Sequence, residues 1–276
     1  MKNQLITDKR LIKFNRNFGQ IIGIYAGALL FAVILLILVH EVGHYIAYVW
    51  KGYEDASIRI TPFFGMTSTN QTIQPEDFVF IVLGGTVFNL TLAFLVAMLC
   101  RSSKSAYAIP LRMYAVMAFL VEGVVILAGL FFEPTITDFS WLISFGWSLV
   151  WVAVLGLVFI LIGGYLNYEI WILLGFHQNA SLISLLILNS PFLLYFLAGY
   201  LISQGLLPEG MEAIKSLLQI CMAMHWIYLV IRILLAPAVF GFLRRKGTLF
   251  HPKITKHQAP SVYYWGVFPG YLVLWS

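Results

Sequence analysis

Charged side chains are scarce in this sequence of 276 residues. Only 11% of the residues are Asp, Glu, Lys or Arg, against about 25% in a typical soluble domain. Apolar residues make up 61% of the chain, and its mean hydropathy is +0.88. A water-soluble fold needs enough polar side chains to cover its surface, so this composition excludes a soluble globular protein and a disordered chain. It predicts an integral membrane protein.

Cysteine is nearly absent as well. The two cysteines, Cys100 and Cys221, both lie within long apolar stretches. Two thiols placed in this way exclude a disulfide-stabilised secreted scaffold. The sequence also has no internal repeat and no stretch polar enough to form a separate soluble domain. Any functional site is therefore expected in the apolar segments and in the short loops that join them.

Long uncharged runs dominate the chain instead. A helix needs about 20 apolar residues to cross the hydrocarbon core of a bilayer. The runs predict transmembrane helices at residues 21–50, 78–100, 113–132, 139–168, 181–206 and 217–242. We therefore expect an all-α polytopic membrane protein with about six transmembrane helices. Its expected parts are a basic cytoplasmic segment at 1–20, a membrane core at 21–170, and additional helices with a basic tail at 171–276.

Basic residues are unevenly divided between the two sides that six spans create. Thirteen Lys and Arg residues fall on the side of the two termini, and at most three fall on the opposite side. Cytoplasmic loops of membrane proteins carry an excess of Lys and Arg. The distribution therefore predicts that both termini are cytoplasmic, which directs the C-terminal end of the first span toward the outer face.

One strongly polar motif interrupts the first span. Residues 40–44 read His-Glu-Val-Gly-His, so His40 and His44 lie one helical turn apart on the same face. This spacing lets both imidazoles bind one zinc ion, and Glu41 can then accept the proton of an attacking water. The alternative interpretation is a purely structural polar cluster. Because unpartnered polar groups are costly at membrane depth, the motif favours a functional metal site.

A catalytic zinc ion usually takes a third protein ligand. Glu122 in the third span, Glu133 and Asp138 in the following loop, and His225 in the sixth span are the candidates. The predicted topology favours the two loop carboxylates, because they emerge on the same face as His44. Asp138 has the alternative role of a helix N-cap. Glu122 is expected either to accept a hydrogen bond from a zinc-binding histidine or to be protonated and bonded to a neighbouring helix.

These motifs resemble the site-2 protease family of intramembrane zinc metalloproteases. The resemblance covers about residues 30–140 and rests on VHEVGHYIAYVWKGYEDASIRITPFFG, VLGGTVFNL and PTITDF. It implies that His40, His44 and Asp138 hold zinc and that Glu41 is the catalytic base. Asp138 is followed by Phe139, whereas the family has glycine at that position.

Two further segments of the resemblance concern the substrate. The G-P-x-x-N motif of the family corresponds to residues 85–89, with Thr86 in place of the proline, and implies that Asn89 binds substrate. Residues 57–61 alternate between polar and apolar side chains, as a β-strand does. The resemblance implies a short re-entrant β segment here, in which Ile58 and Ile60 position an extended substrate.

The sequence as a whole predicts a zinc-dependent intramembrane endopeptidase. Its catalytic core is expected at residues 21–170, and its partners are the lipid bilayer and a transmembrane or membrane-embedded peptide, with no nucleic acid. One alternative is a catalytically inactive protein of the same scaffold that binds helices or acts in transport or immunity. Another is an unrelated H-E-x-x-H membrane protease whose further ligand is Glu122 or Glu133.

The expected location is the plasma membrane of a bacterium, by analogy with the family. The resemblance implies a zinc site nearer the cytosolic face, whereas the distribution of basic residues places His40 nearer the outer face. The side of the membrane on which the site lies is therefore left open by the sequence.

Overall fold

The computed structural model describes residues 18–60, 65–101, 103, 108–131, 137–174, 189–191, 193–195 and 197–201, together with 219, 223, 226, 227 and 230. The elements in this part of the chain are α1 (Phe18–Trp50), β1 (Ser57–Ile60), β2 (Gly65–Ser68), α2 (Pro75–Cys100), α3 (Ala108–Ala128), α4 (Asp138–Ser144) and α5 (Leu149–Leu173). The described residues between 189 and 201 are also helical.

Four of these helices, α1, α2, α3 and α5, are long and apolar enough to cross a membrane. The described residues therefore confirm a multi-pass, mostly helical membrane protein with a small two-stranded hairpin after the first helix. Most of the predicted fifth and sixth spans lies outside the described residues, as do Glu133, His225 and both chain termini.

Helix α3 lies at the centre of the bundle and packs against α1, α2 and α5. Most of its side chains are buried, with Met113, Tyr114 and Leu120 fully enclosed. Lipid tails are as apolar as the helix surfaces, so association depends on close van der Waals packing. Glycines provide this packing. A Cβ atom on Gly123 would lie only 2.8 Å from the carbonyl oxygen of Gly156 on α5.

The predicted fourth span, at residues 139–168, is divided into two helices. The short α4 ends in a tight turn, in which the Gly146 N–H donates to the Ile143 carbonyl and the Trp147 N–H donates to the Leu142 carbonyl. Gly146 has a φ of 90°, which glycine adopts without a steric penalty. This bond pattern is the Schellman motif that ends many helices. The prediction of one continuous helix from this uncharged run was therefore wrong, and Gly146 is the residue that marks where the helix is interrupted.

The hairpin follows α1 along the chain and packs against it. Strands β1 and β2 are antiparallel, with Ile58 opposite Thr67 and Ile60 opposite Gly65. The segment after β2 is held by hydrogen bonds to the Asp55 carboxylate. This carboxylate accepts from the Thr69 hydroxyl at 2.5 Å and from the Asn70 N–H at 2.8 Å. These bonds stabilise the ionised carboxylate and hold the pKa of Asp55 below its ordinary value.

Candidate metal centre

Three potential metal ligands converge where α1 meets the start of α4. His40 Nε2 and His44 Nε2 are 3.0 Å apart, and each lies 3.3 Å from Asp138 Oδ2. The two histidines meet because they are one turn apart on α1. Asp138 is brought to them by the path of the chain through α2 and α3. Within the described residues, these are the side chains grouped closely enough to hold a metal ion.

The spacing and chemistry of these atoms fit zinc. In a tetrahedral site with ligand bonds of about 2.0–2.2 Å, the ligand atoms lie roughly 3.3–3.6 Å from one another. The two 3.3 Å separations from Asp138 match this range, and the two imidazole nitrogens, 3.0 Å apart, lie slightly closer. Two imidazole nitrogens and one carboxylate oxygen form a common set for a catalytic zinc, which keeps its fourth position open. Gly85 of α2 supports this interpretation, because a Cβ atom there would lie 2.8 Å from His40 Nε2 and would overlap His44 Nε2. A side chain at this position would occupy the space between the ligands.

The outer nitrogens of both histidines have hydrogen-bond acceptors. His44 Nδ1 lies 2.8 Å from the Ile81 carbonyl oxygen, and His40 Nδ1 lies 2.7 Å from Glu122 Oε1. These acceptors favour the tautomer that carries the proton on Nδ1, which leaves the Nε2 lone pairs available to a metal ion. Both rings are therefore held by groups on other helices, with their Nε2 atoms on the side of Asp138.

The start of α4 determines where the carboxylate of Asp138 points. Thr137 is the N-cap residue, since its hydroxyl accepts from the Ser140 N–H at 3.0 Å. The Ser140 hydroxyl accepts in return from the Thr137 N–H at 3.0 Å, completing a reciprocal capping box. The alternative of Asp138 as the N-cap is therefore wrong. Asp138 occupies the first helical position, from which its side chain reaches the histidines.

Glu41 lies beside the ligand group and under the hairpin. Its side chain is almost buried, with 6% exposed. The Thr67 hydroxyl lies 2.7 Å from Glu41 Oε2 and donates to it. Strand β2 passes so close that a Cβ atom on Gly65 would overlap the Glu41 side chain. One carboxylate oxygen is thus held by the hairpin, and Glu41 stands outside the group of potential ligands.

The three residues predicted to bind substrate occupy two different environments. Ile58 and Ile60 are half-buried on β1, and Ile58 shares a sheet face with its partner Thr67, which reaches Glu41. Asn89 is fully buried in α2. Its side chain donates to Glu122 and accepts from Tyr114 rather than facing the ligand group directly. A substrate role for these residues stays a prediction.

Sequence reasoning missed several residues around the site. The capping pair formed by Thr137 and Ser140 follows a known pattern at a helix start and was recognisable. Thr67 and Tyr114 had no local signal, because each meets its partner through the tertiary fold.

Comparison with known protein families, curated proteins and solved structures finds no match for this chain.

Proposed function

We propose that this protein is a zinc-dependent endopeptidase that hydrolyses a peptide bond of a membrane-embedded substrate. The observation that carries this proposal is the convergence of His40, His44 and Asp138 next to Glu41 within a bundle of apolar helices. A structural zinc site normally has four protein ligands, whereas three ligands beside a carboxylate are typical of hydrolytic sites. The resemblance of the motifs to site-2 proteases supports the same reaction.

Three side chains would hold the ion, and Glu41 would move the proton. Zinc held there would supply Lewis-acid chemistry, which would polarise the substrate carbonyl and lower the pKa of the attacking water. Glu41 accepts the proton of the attacking water and delivers it to the departing amide nitrogen. Thr67 fixes one oxygen of the Glu41 carboxylate, which leaves the other oxygen for proton transfer.

Substrate access is supported by the exposure of the site. The His40 and Asp138 side chains are 19% and 25% exposed, although both lie at the junction of several helices. A peptide in a helical conformation shields its carbonyl groups, so cleavage requires an extended segment at the site. The hairpin lies against Glu41 and leaves one edge of each strand without a strand partner among the described residues. We infer that Ile58 and Ile60 position the extended segment there.

The test combines zinc content with cleavage by the purified full-length protein. We expect about one zinc per chain in the wild type, lost in His44→Ala and Asp138→Asn because each removes a ligand. Glu41→Gln should keep the zinc and lower cleavage of fluorogenic transmembrane peptides in liposomes by about 100-fold or more. Glu54→Gln, which alters an exposed glutamate on the same side of the molecule, is the matched control and should resemble the wild type.

Different results would overturn different parts of the proposal. A folded wild-type protein without zinc affinity would contradict the metal centre and favour a helix-binding scaffold. Retention of zinc by Asp138→Asn would move the third ligand elsewhere. Equal cleavage by the wild type and Glu41→Gln would contradict the proposed proton transfer, even with zinc bound.

A further inference from the structure

Glu122 is a second buried carboxylate at the metal centre, and the proposed reaction makes no use of it. We propose that Glu122 is a positioning residue that orients His40 and adds to the negative charge that favours a divalent ion. We also propose that Thr86, Asn89 and Tyr114 hold Glu122 in place. This inference rests on the proposed zinc site and extends it to three helices of the bundle.

The contacts of Glu122 account for both of its oxygens. Oε1 lies 2.7 Å from His40 Nδ1 and also accepts from Asn89 Nδ2 at 2.7 Å. Oε2 accepts from the Thr86 hydroxyl at 3.0 Å. Glu122, Thr86 and Asn89 are all buried. A carboxylate held at both oxygens has little freedom to rotate, so it fixes the plane and the tautomer of the His40 ring.

Tyr114 extends this network by one more residue. Its hydroxyl lies 2.8 Å from Asn89 Oδ1 and donates to it. Because the amide oxygen of Asn89 is engaged by Tyr114, the amide nitrogen is turned toward Glu122. The network therefore runs from Tyr114 through Asn89 and Glu122 to His40. Asn89 thus acts on the histidine indirectly, by holding Glu122.

Charge balance supports the same assignment. Buried charges are costly at membrane depth unless an opposite charge accompanies them. The described side chains that contact Glu122 and Asp138 are histidine, threonine and asparagine, with no Lys or Arg among them. A divalent cation on His40 and His44 would offset the charges of both carboxylates, with the Glu41 carboxylate also close by. Loss of the Glu122 charge would remove one of the negative charges that attract the ion.

The test measures zinc affinity by competition with a fluorescent chelator, using the full-length protein in detergent. Replacing a group that orients a metal ligand typically weakens metal binding about 10–100-fold. We expect a loss in this range for Glu122→Gln, which keeps the shape of the side chain and removes its charge. The spectrum of the Co²⁺-substituted protein should also change, because the orientation of His40 changes.

Two matched pairs separate positioning from general packing. Thr86→Val removes the hydroxyl at nearly constant volume and should weaken zinc binding by up to about tenfold, whereas Thr86→Ser should resemble the wild type. Tyr114→Phe should weaken binding by a smaller factor. Tyr25→Phe removes a buried tyrosine hydroxyl that lies near Asn167, away from the site, and should leave zinc affinity unchanged.

The outcomes distinguish this inference from the proposed function. Wild-type zinc affinity and an unchanged Co²⁺ spectrum in a folded Glu122→Gln protein would overturn the positioning role and leave the protease proposal standing. An equal loss of affinity in Thr86→Val and Thr86→Ser would also contradict it. Absence of zinc binding by the wild type would instead overturn the proposed function, and this inference with it.

Discussion

Among the individual residues, two glycines, Gly85 and Gly65, shape the site as much as the potential ligands do, because they have no side chain. Gly85 leaves space in front of both Nε2 atoms of the histidines, and Gly65 lets β2 pass over Glu41. Neither glycine has the positive φ that would require this residue for backbone reasons. Each is needed because a side chain would occupy volume that the site uses.

The effect of Gly85→Ala follows from this geometry. The added methyl group would lie 2.8 Å from His40 Nε2, well inside the usual van der Waals separation of about 3.5 Å. The histidine rings must then rotate out of their positions, so we expect zinc affinity to fall by at least about tenfold. Val87→Ala, at a position that is 55% exposed on the same helix, is the control. One zinc per chain with wild-type affinity in Gly85→Ala would refute the prediction.

Among the helices and strands, the short helix α4 has one clear role, which is to place the carboxylate of Asp138 next to the histidines. It has only seven residues, too few to be stable without strong ends. The capping box formed by Thr137 and Ser140 stabilises the first turn of α4, and the turn at Gly146 caps its C-terminal end. Because the N-cap is Thr137, the carboxylate of Asp138 is available to the histidines.

Removal of the N-terminal cap should therefore weaken metal binding. Loss of an N-cap hydroxyl costs about 1 kcal/mol of helix stability. Because α4 is short, a less stable helix also holds Asp138 less firmly in its position. We expect Thr137→Ala to weaken zinc binding up to about fivefold. Thr137→Ser keeps the cap and should retain wild-type affinity. Competition with a chelator measures both variants, and equal affinities would show that α4 holds Asp138 without its cap.

In the bundle as a whole, the candidate site lies toward one end and a pair of arginines, Arg101 and Arg112, lies at the other. The hairpin follows the end of α1, and His44 lies six residues before that end, against Gly85 of α2. Helix α2 then runs away from the site to its C-terminus, where Arg112 donates to the carbonyls of Cys100, Arg101 and Ser103. Arg101 and Arg112 belong to the side to which the sequence assigns thirteen Lys and Arg residues, against at most three on the side of the hairpin. Because loops rich in Lys and Arg stay in the cytoplasm, the arginine end is expected there and the hairpin on the outer side.

Cysteine labelling tests this orientation. In a background without Cys100 and Cys221, Thr72→Cys reports on the exposed segment after the hairpin, and Ser103→Cys reports on the arginine end. We expect a membrane-impermeant maleimide to label Thr72→Cys in intact spheroplasts and to label Ser103→Cys only after permeabilisation. Detergent-solubilised protein is the control, in which both must react. The reverse pattern would place the site at the cytoplasmic face.

Much of the architecture follows from local rules that can be applied to the sequence. Hydropathy identifies four long helices of the described bundle, because a spanning helix must be apolar along its full length. The prediction of a continuous fourth span was wrong, since hydropathy does not register the left-handed glycine that ends α4. A strand was predicted at residues 57–61 from its alternation, and β1 confirms it at Ser57–Ile60.

The pairing of the two histidines is predictable from their spacing alone, because two residues four apart on a helix share a face whatever surrounds them. The arrangement of the carboxylates around that pair depends instead on how the helices pack. Asp138 lies at Nε2 of His40 and Glu122 lies at its Nδ1, although both were candidates for the third ligand. No local pattern predicts this difference, because it depends on contacts between distant segments, and small residues such as Gly85 set how closely the helices approach.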